Sequence, residues 1–233
     1  TARDALSAAI GTANADTFHR VREGLSDRGP FKPDAAGAGR RALRNVLLDL
    51  VSVASDEAAM AADQYRSATN MTDRAAALTV LAHRFAESTE AAEAIEDFET
   101  RFGDDALVMD KWFQIQATIP DVTTVERVAG LMRHRLFSLG NPNRVRALVG
   151  TFASSNQTAF HAADGSGYRL YAETIREVES RNPQVAARLA TAFRSWRSLE
   201  PGRQELARKT LVDLASTRGL SRDLADILER TLA

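Results

Sequence analysis

Twice in this chain an Asn-Pro pair opens a helical stretch, at Asn141-Pro142 and at Asn182-Pro183. Asn is a preferred N-cap, because its side-chain oxygen accepts from the unpaired backbone N–H groups of the first turn. Pro suits the next position, where no N–H is needed and φ is already helical. The openings at 141 and 182 stand 41 residues apart, within the roughly 40–47-residue period of HEAT-like and armadillo-like repeats. A further helix near residues 168–180 lies between them, as an α-hairpin repeat requires. The expected fold is therefore all-α: a superhelix of stacked antiparallel helix pairs, a HEAT/armadillo-like solenoid with a concave inner surface.

The rest of the chain reads the same way. Ala, Leu, Arg and Glu dominate, and these are strong helix formers. No sustained two-residue alternation of the kind a strand needs is present. Helices are expected near residues 2–10, 13–25, 40–54, 56–68, 72–86, 88–102, 105–118, 123–134, 142–154, 168–180, 183–199, 201–217 and 221–231. A Gly/Pro-rich loop, SDRGPFKPDAAGAG, separates the second from the third. Thr72 and Ser221 are placed to cap helices, and Gly219 to stop one in the left-handed conformation. Leu43, Leu47, Leu50 and Val51 form the expected buried face of one helix.

Charge and composition exclude several functions. Lys and Arg number 30 against 31 Asp and Glu, a formal net charge of −1. A phosphate-binding nucleic-acid domain usually carries a clear basic excess, so no nucleic-acid partner is expected. The chain has no cysteine, which removes disulfides and thiolate metal sites. No apolar run approaches the roughly 20 residues of a membrane span, so no membrane partner is expected. The first residues lack the charged head and apolar core of a signal peptide. They read as a helix entered midway in a longer protein, and a cytoplasmic location fits.

Candidate chemistry is thin. His19, His83, His134 and His161 show none of the His-Glu-x-x-His spacing that sets two imidazoles on one zinc. Asp164-Gly165-Ser166-Gly167 resembles part of a phosphate loop but follows no strand and lacks the Lys-Ser/Thr pair, so it reads as a turn. Val108, Trp112, Ile115 and Ile119 recur at helical spacing and read as core. Arg144, Arg146 and Arg188 stand out, because arginine near a helix N-terminus opposes the helix dipole. Spacing alone favours solvated arginines with a nearby carboxylate. The sharper alternative is a cationic surface that meets a carboxylate-bearing ligand.

These residues also carry a resemblance. The stretches 141–148, 152–156, 159–168 and 180–186, with Asn70-Met71-Thr72-Asp73 and residues 107–113 earlier in the chain, resemble the C-terminal domain of bacterial aminopeptidase N. The match holds in order from about residue 40 to the end, and residues 1–39 agree more loosely. Gln157 stands where the family often has Pro. The resemblance implies that residues 1–233 are a single α-helical C-terminal domain of a zinc exopeptidase, with no cofactor of its own. The zinc, its His-Glu-x-x-His helix and its Gly-x-Met-Glu-Asn segment would lie in a preceding catalytic domain, the natural partner. The domain would wall the active-site chamber and admit short peptides. The resemblance makes Gln184 part of the pocket for the substrate's first side chain, and Arg146 and Arg188 chamber-facing partners of the peptide carboxylate. Two other functions remain open from the residues: a helical-repeat scaffold that binds a protein along its concave face, and an independent helical enzyme, which lacks a visible base, nucleophile or metal set.

Overall fold

The computed structural model describes residues 2–26, 29 and 31–233. Residues 27, 28 and 30 of the Gly/Pro-rich loop, and Thr1, lie outside the described residues. Every regular element among the described residues is helical, and the chain divides into two compact units, Thr1–Phe102 and Gly103–Ala233.

The first unit contains α1 (Ala2–Ala13), α2 (Ala15–Gly24), α3 (Ala35–Ser55), α4 (Ala59–Ser67), α5 (Met71–Arg84) and α6 (Thr89–Phe102). The long α3 takes α1, α2 and α5 on its sides, while α4 and α6 pack on α5 and on each other. Leu47, Leu48 and Val51 of α3 meet a core that includes Tyr65, Leu78, Leu81 and Phe98. The expected stripe is buried only in part. Leu47 and Val51 are buried, Leu50 is half-buried, and Leu43 is 46% exposed together with Val46. Leu48 and Ser52 take the inward places, because α3 is clasped from more than one side and its buried face is broader than one stripe. Arg84 of α5 reaches back to Asp49 of α3 and Asp4 of α1 at 2.8 and 2.7 Å.

One cap differs from expectation. Asn70, not Thr72, precedes α5, and its Oδ1 accepts from Asp73 N at 2.9 Å. Asn is the better cap, and it stands two residues earlier.

The second unit begins with α7 (Ala106–Ala117) and α8 (Thr124–Leu131). A longer helical run follows as α9 (Pro142–Val145), a π-helical turn (Arg146–Gly150) and α10 (Thr151–Ser155). Then come α11 (Gln157–Phe160), α12 (Ser166–Glu179), α13 (Pro183–Ala190), α14 (Pro201–Ala215) and α15 (Arg222–Leu232). The helix expected over 183–199 ends as α at Ala190 and continues as two 3₁₀ turns, Thr191–Phe193 and Trp196–Ser198. Tighter turns let Phe193 and Trp196 both point inward, and the Trp196 indole donates to Thr231 O at 2.9 Å. Phe160 is the hub of the core, with the rings of Phe152, Tyr168, Tyr171 and Phe193 all within 6 Å of its own.

Helix α12 packs on α13 and α14, and α15 on both of these. Helix pairs on helix pairs are the expected all-α architecture, seen within each unit. Ser221 caps α15 by accepting from Leu224 N, and Gly219 lies in the left-handed region at φ 79°, both as expected.

Candidate functional site

The two Asn-Pro starts form as the sequence predicts. Asn141 Oδ1 accepts from the backbone N of Asn143 and Arg144 at 3.0 and 3.3 Å, with Pro142 in the first turn. Asn182 Oδ1 accepts from Val185 N at 3.2 Å, with Pro183 in the equivalent place. The two runs touch where the π turn meets α13: a Cβ built on Gly150 would lie 3.8 Å from the Leu189 side chain of α13, an ordinary van der Waals distance.

The three arginines separate into two kinds. Arg144 turns inward, with its side chain only 7% exposed. Its Nη1 donates to Asp110 at 2.6 Å and to Ala106 O at 3.2 Å, and its guanidinium lies 5.2 Å from the Phe113 ring centre. It clamps α9 to α7 through Asp110. Arg146 is exposed and donates to Asn143 Oδ1. Arg188 and Gln184 are also exposed, on the face of α13 opposite Ala186, Ala187, Leu189 and Ala190. Neither side chain has a hydrogen bond or ion pair among the described residues. Arg146 and Arg188 thus present exposed guanidinium groups without a carboxylate partner among the described residues.

Sequence reading missed the π turn. The Arg146 carbonyl accepts from the backbone N of Thr151 and from its Oγ1 at 3.1 Å, so the turn closes over five residues where an α-turn closes over four. Such turns are rare and often stand at functional places in helices. Only Gly150 and Thr151 hint at it, and neither is specific.

The remaining chemical candidates have structural partners. Asp164 Oδ1 accepts from Ser166 N and Oγ at 3.0 and 2.7 Å, making the expected turn into α12. Trp112, Ile115 and Ile119 are buried and Val108 half-buried, as a core stripe. His134 packs its ring against Trp112 and Phe113. His161 Nδ1 shares a 2.7 Å hydrogen bond with Tyr168 Oη, and burial followed by the nearby Arg203 charge holds its pKa below the ordinary 6.5. Among the described residues no group of three or more His, Asp or Glu could hold a metal ion. No described helix is long and apolar enough to cross a membrane.

A protein-family profile described as "Domain of unknown function (DUF3458_C) ARM repeats" matches residues 1–233. The chain belongs to this ARM-repeat family. Aminopeptidase N of Escherichia coli (strain K12) is 36% identical over 99% of the chain, which covers 26% of that protein. Aminopeptidase N of Haemophilus influenzae is 37% identical, again over 99% of the chain and 26% of its own length. Among solved structures, Legionella pneumophila aminopeptidase A in complex with aspartic acid superposes with a TM-score of 0.90 at 30% identity. That match covers 99% of this chain and 28% of the other. The ARM-repeat domain therefore spans about a quarter of the length of the curated relatives it matches. The likeness to the C-terminal domain of bacterial aminopeptidase N, first carried by a few motifs, extends over the family domain as a whole.

Proposed function

We propose that this chain is the single, non-catalytic C-terminal domain of a zinc aminopeptidase N that removes N-terminal residues from peptides. It walls the active-site chamber, limits entry to short peptides and supplies contacts through Arg146, Gln184 and Arg188. Its partners are the parent's own catalytic domain, which carries the zinc, and the peptide substrate. The carrying observation is that Arg146 and Arg188 are exposed and without carboxylate partners, on adjoining helices of a domain whose relatives are aminopeptidases. A peptide carboxylate in a partly enclosed space would accept charge-assisted hydrogen bonds from such guanidiniums, worth about 1.5–3 kcal/mol each.

The test is steady-state kinetics of the intact enzyme. Arg146→Ala or Arg188→Ala should raise KM for short peptides roughly tenfold or more, since 1.4 kcal/mol is about tenfold. The value of kcat should change less, because the bond-breaking groups are elsewhere. An amino-acid anilide, which has no carboxylate, should lose much less. Gln184→Ala should instead reorder the preference among N-terminal side chains. Equal losses on peptide and anilide, or no loss on either, would assign these arginines a structural role.

A further inference from the structure

Three guanidinium groups gather in the first unit with fewer carboxylates beside them among the described residues. Arg41 of α3 is 7% exposed, deep for a permanently charged side chain. Its Nη1 donates to Lys32 O at 3.1 Å, and its guanidinium lies 4.5 Å from the Phe31 ring centre. Arg44, one turn on, donates through Nη1 to Asp73 Oδ2 at 3.1 Å. Arg22 of α2 donates to the neutral Gln64 Oε1 at 2.7 Å. The Nε of all three is buried without a partner.

Most of the nearby acceptors are already occupied, the exception being Asp34 Oδ2. Asp73 takes Asn45 on Oδ1 at 3.0 Å and both Arg44 and Asn70 on Oδ2. Asn45 Oδ1 accepts from Gln64 at 2.8 Å, and Asn70 Oδ1 caps α5. Asp34, close to Arg41, uses Oδ1 on Gly37 N at 2.6 Å. Two carboxylates face three arginines, which leaves a positive surplus among the described residues. Burial, and then the Arg44 charge, lower the Arg22 pKa against the opposing pull of Asp73.

Arg41, Arg44, Gln64, Asn70 and Asp73 line a polar cavity of about 200 Å³. Both arginines line it, and their Nη2 atoms make no hydrogen bond and are not among the buried unpaired atoms. The wall thus offers donors, few free acceptors, surplus positive charge and room for a tetrahedral oxyanion.

We infer that this cavity is a binding site for a small oxyanion of the phosphate class, held by Arg41 and Arg44 and backed electrostatically by Arg22. Arginine forks match such oxygens two at a time. The site belongs to the first unit alone and is independent of the peptide-contact reading.

The test is titration of the intact protein carrying this chain with inorganic phosphate, by calorimetry at constant ionic strength set with sodium chloride. A saturable, one-to-one isotherm is expected, along with a rise in melting temperature with phosphate concentration. Arg41→Gln and Arg44→Gln should each raise Kd tenfold or more. Arg66→Gln, an exposed arginine ion-paired with Asp63, should leave it unchanged. Arg44→Lys keeps a charge for Asp73 but loses the fork, and it serves where the glutamine variants fail to fold. It should raise Kd at least threefold. No heat beyond the chloride control, an unchanged Kd in Arg44→Lys, or equal weakening by Arg66→Gln would overturn the assignment.

Discussion

Replacing Arg144 by Ala tests the division of the arginines into an inward clamp and outward contacts. The Arg144 side chain is 7% exposed and its partner Asp110 19%. Removing one member of a buried pair typically costs about 3–5 kcal/mol, because the other charge is left without compensation. Asp110 keeps some access to water, which places this case near the lower end. The lost hydrogen bond to Ala106 O and the space opened beside the fully buried Phe113 oppose that relief. A loss of about 3 kcal/mol follows, roughly a hundredfold in the folding constant. Urea unfolding followed by tryptophan fluorescence reads it directly, since Trp112 and Trp196 both lie buried in this unit. Arg146→Ala, on the exposed side of the same helical run, should stay within about 0.5 kcal/mol of the parent chain. The double variant Arg144→Met with Asp110→Leu should recover most of the loss, because an apolar pair of similar volume avoids desolvating two charges. A loss below about 1 kcal/mol for Arg144→Ala, or an equal loss for Arg146→Ala, would refute the clamp.

Three further outcomes follow from the second unit. Asn156 is 2% exposed, donates to Ala117 O and Ile119 O at 3.0 and 2.7 Å and accepts from Ala159 N at 2.9 Å. Asn156→Ala should cost about 3 kcal/mol in urea unfolding, since each of the three groups loses a partner worth about 1 kcal/mol. A Cβ on Gly167 would lie 2.4 Å from Phe160 O and 2.5 Å from Ala159 O, backbone atoms that cannot swing aside. Gly167→Ala should therefore lower the melting temperature, at a cost of about 2–3 kcal/mol. His161 has its pKa depressed in the fold, so the unfolded chain binds the extra proton first. Its contribution to stability is complete above the unfolded value of 6.5 and falls as pH drops below that value towards the folded pKa. A melting-temperature series from pH 8 to 5 should show this slope, and His161→Phe should flatten it.

Features governed by local chemistry were legible in the sequence. Both Asn-Pro starts, the Ser221 cap, the Gly219 stop and the turn at Asp164 depend on residues within a few positions of one another, and each formed as expected. Features governed by distant packing were not. The buried face of α3 depends on which helices surround it, so Leu43 looked internal yet lies exposed. Asn156 reads as one more loop asparagine until the carbonyls of Ala117 and Ile119, 39 and 37 residues away, are seen to need it. The same holds at the candidate site. Spacing singled out three arginines together, but only the fold shows that Asp110 takes Arg144 out of the group.

The π turn at Arg146–Gly150 has a consequence for comparing chains of this family by alignment. A turn closed over five residues is equivalent to a single-residue insertion in an ordinary α-helix. A relative lacking one residue between 146 and 150 would keep both helix ends but lose the insertion. With 3.6 residues per turn, that deletion rotates one side of the helix by about 100° relative to the other. With Phe152 and Ala153 fixed in the core, the arginine at 146 would swing off its present surface. A one-residue gap there would thus mark a different surface chemistry, even where every neighbouring residue is identical.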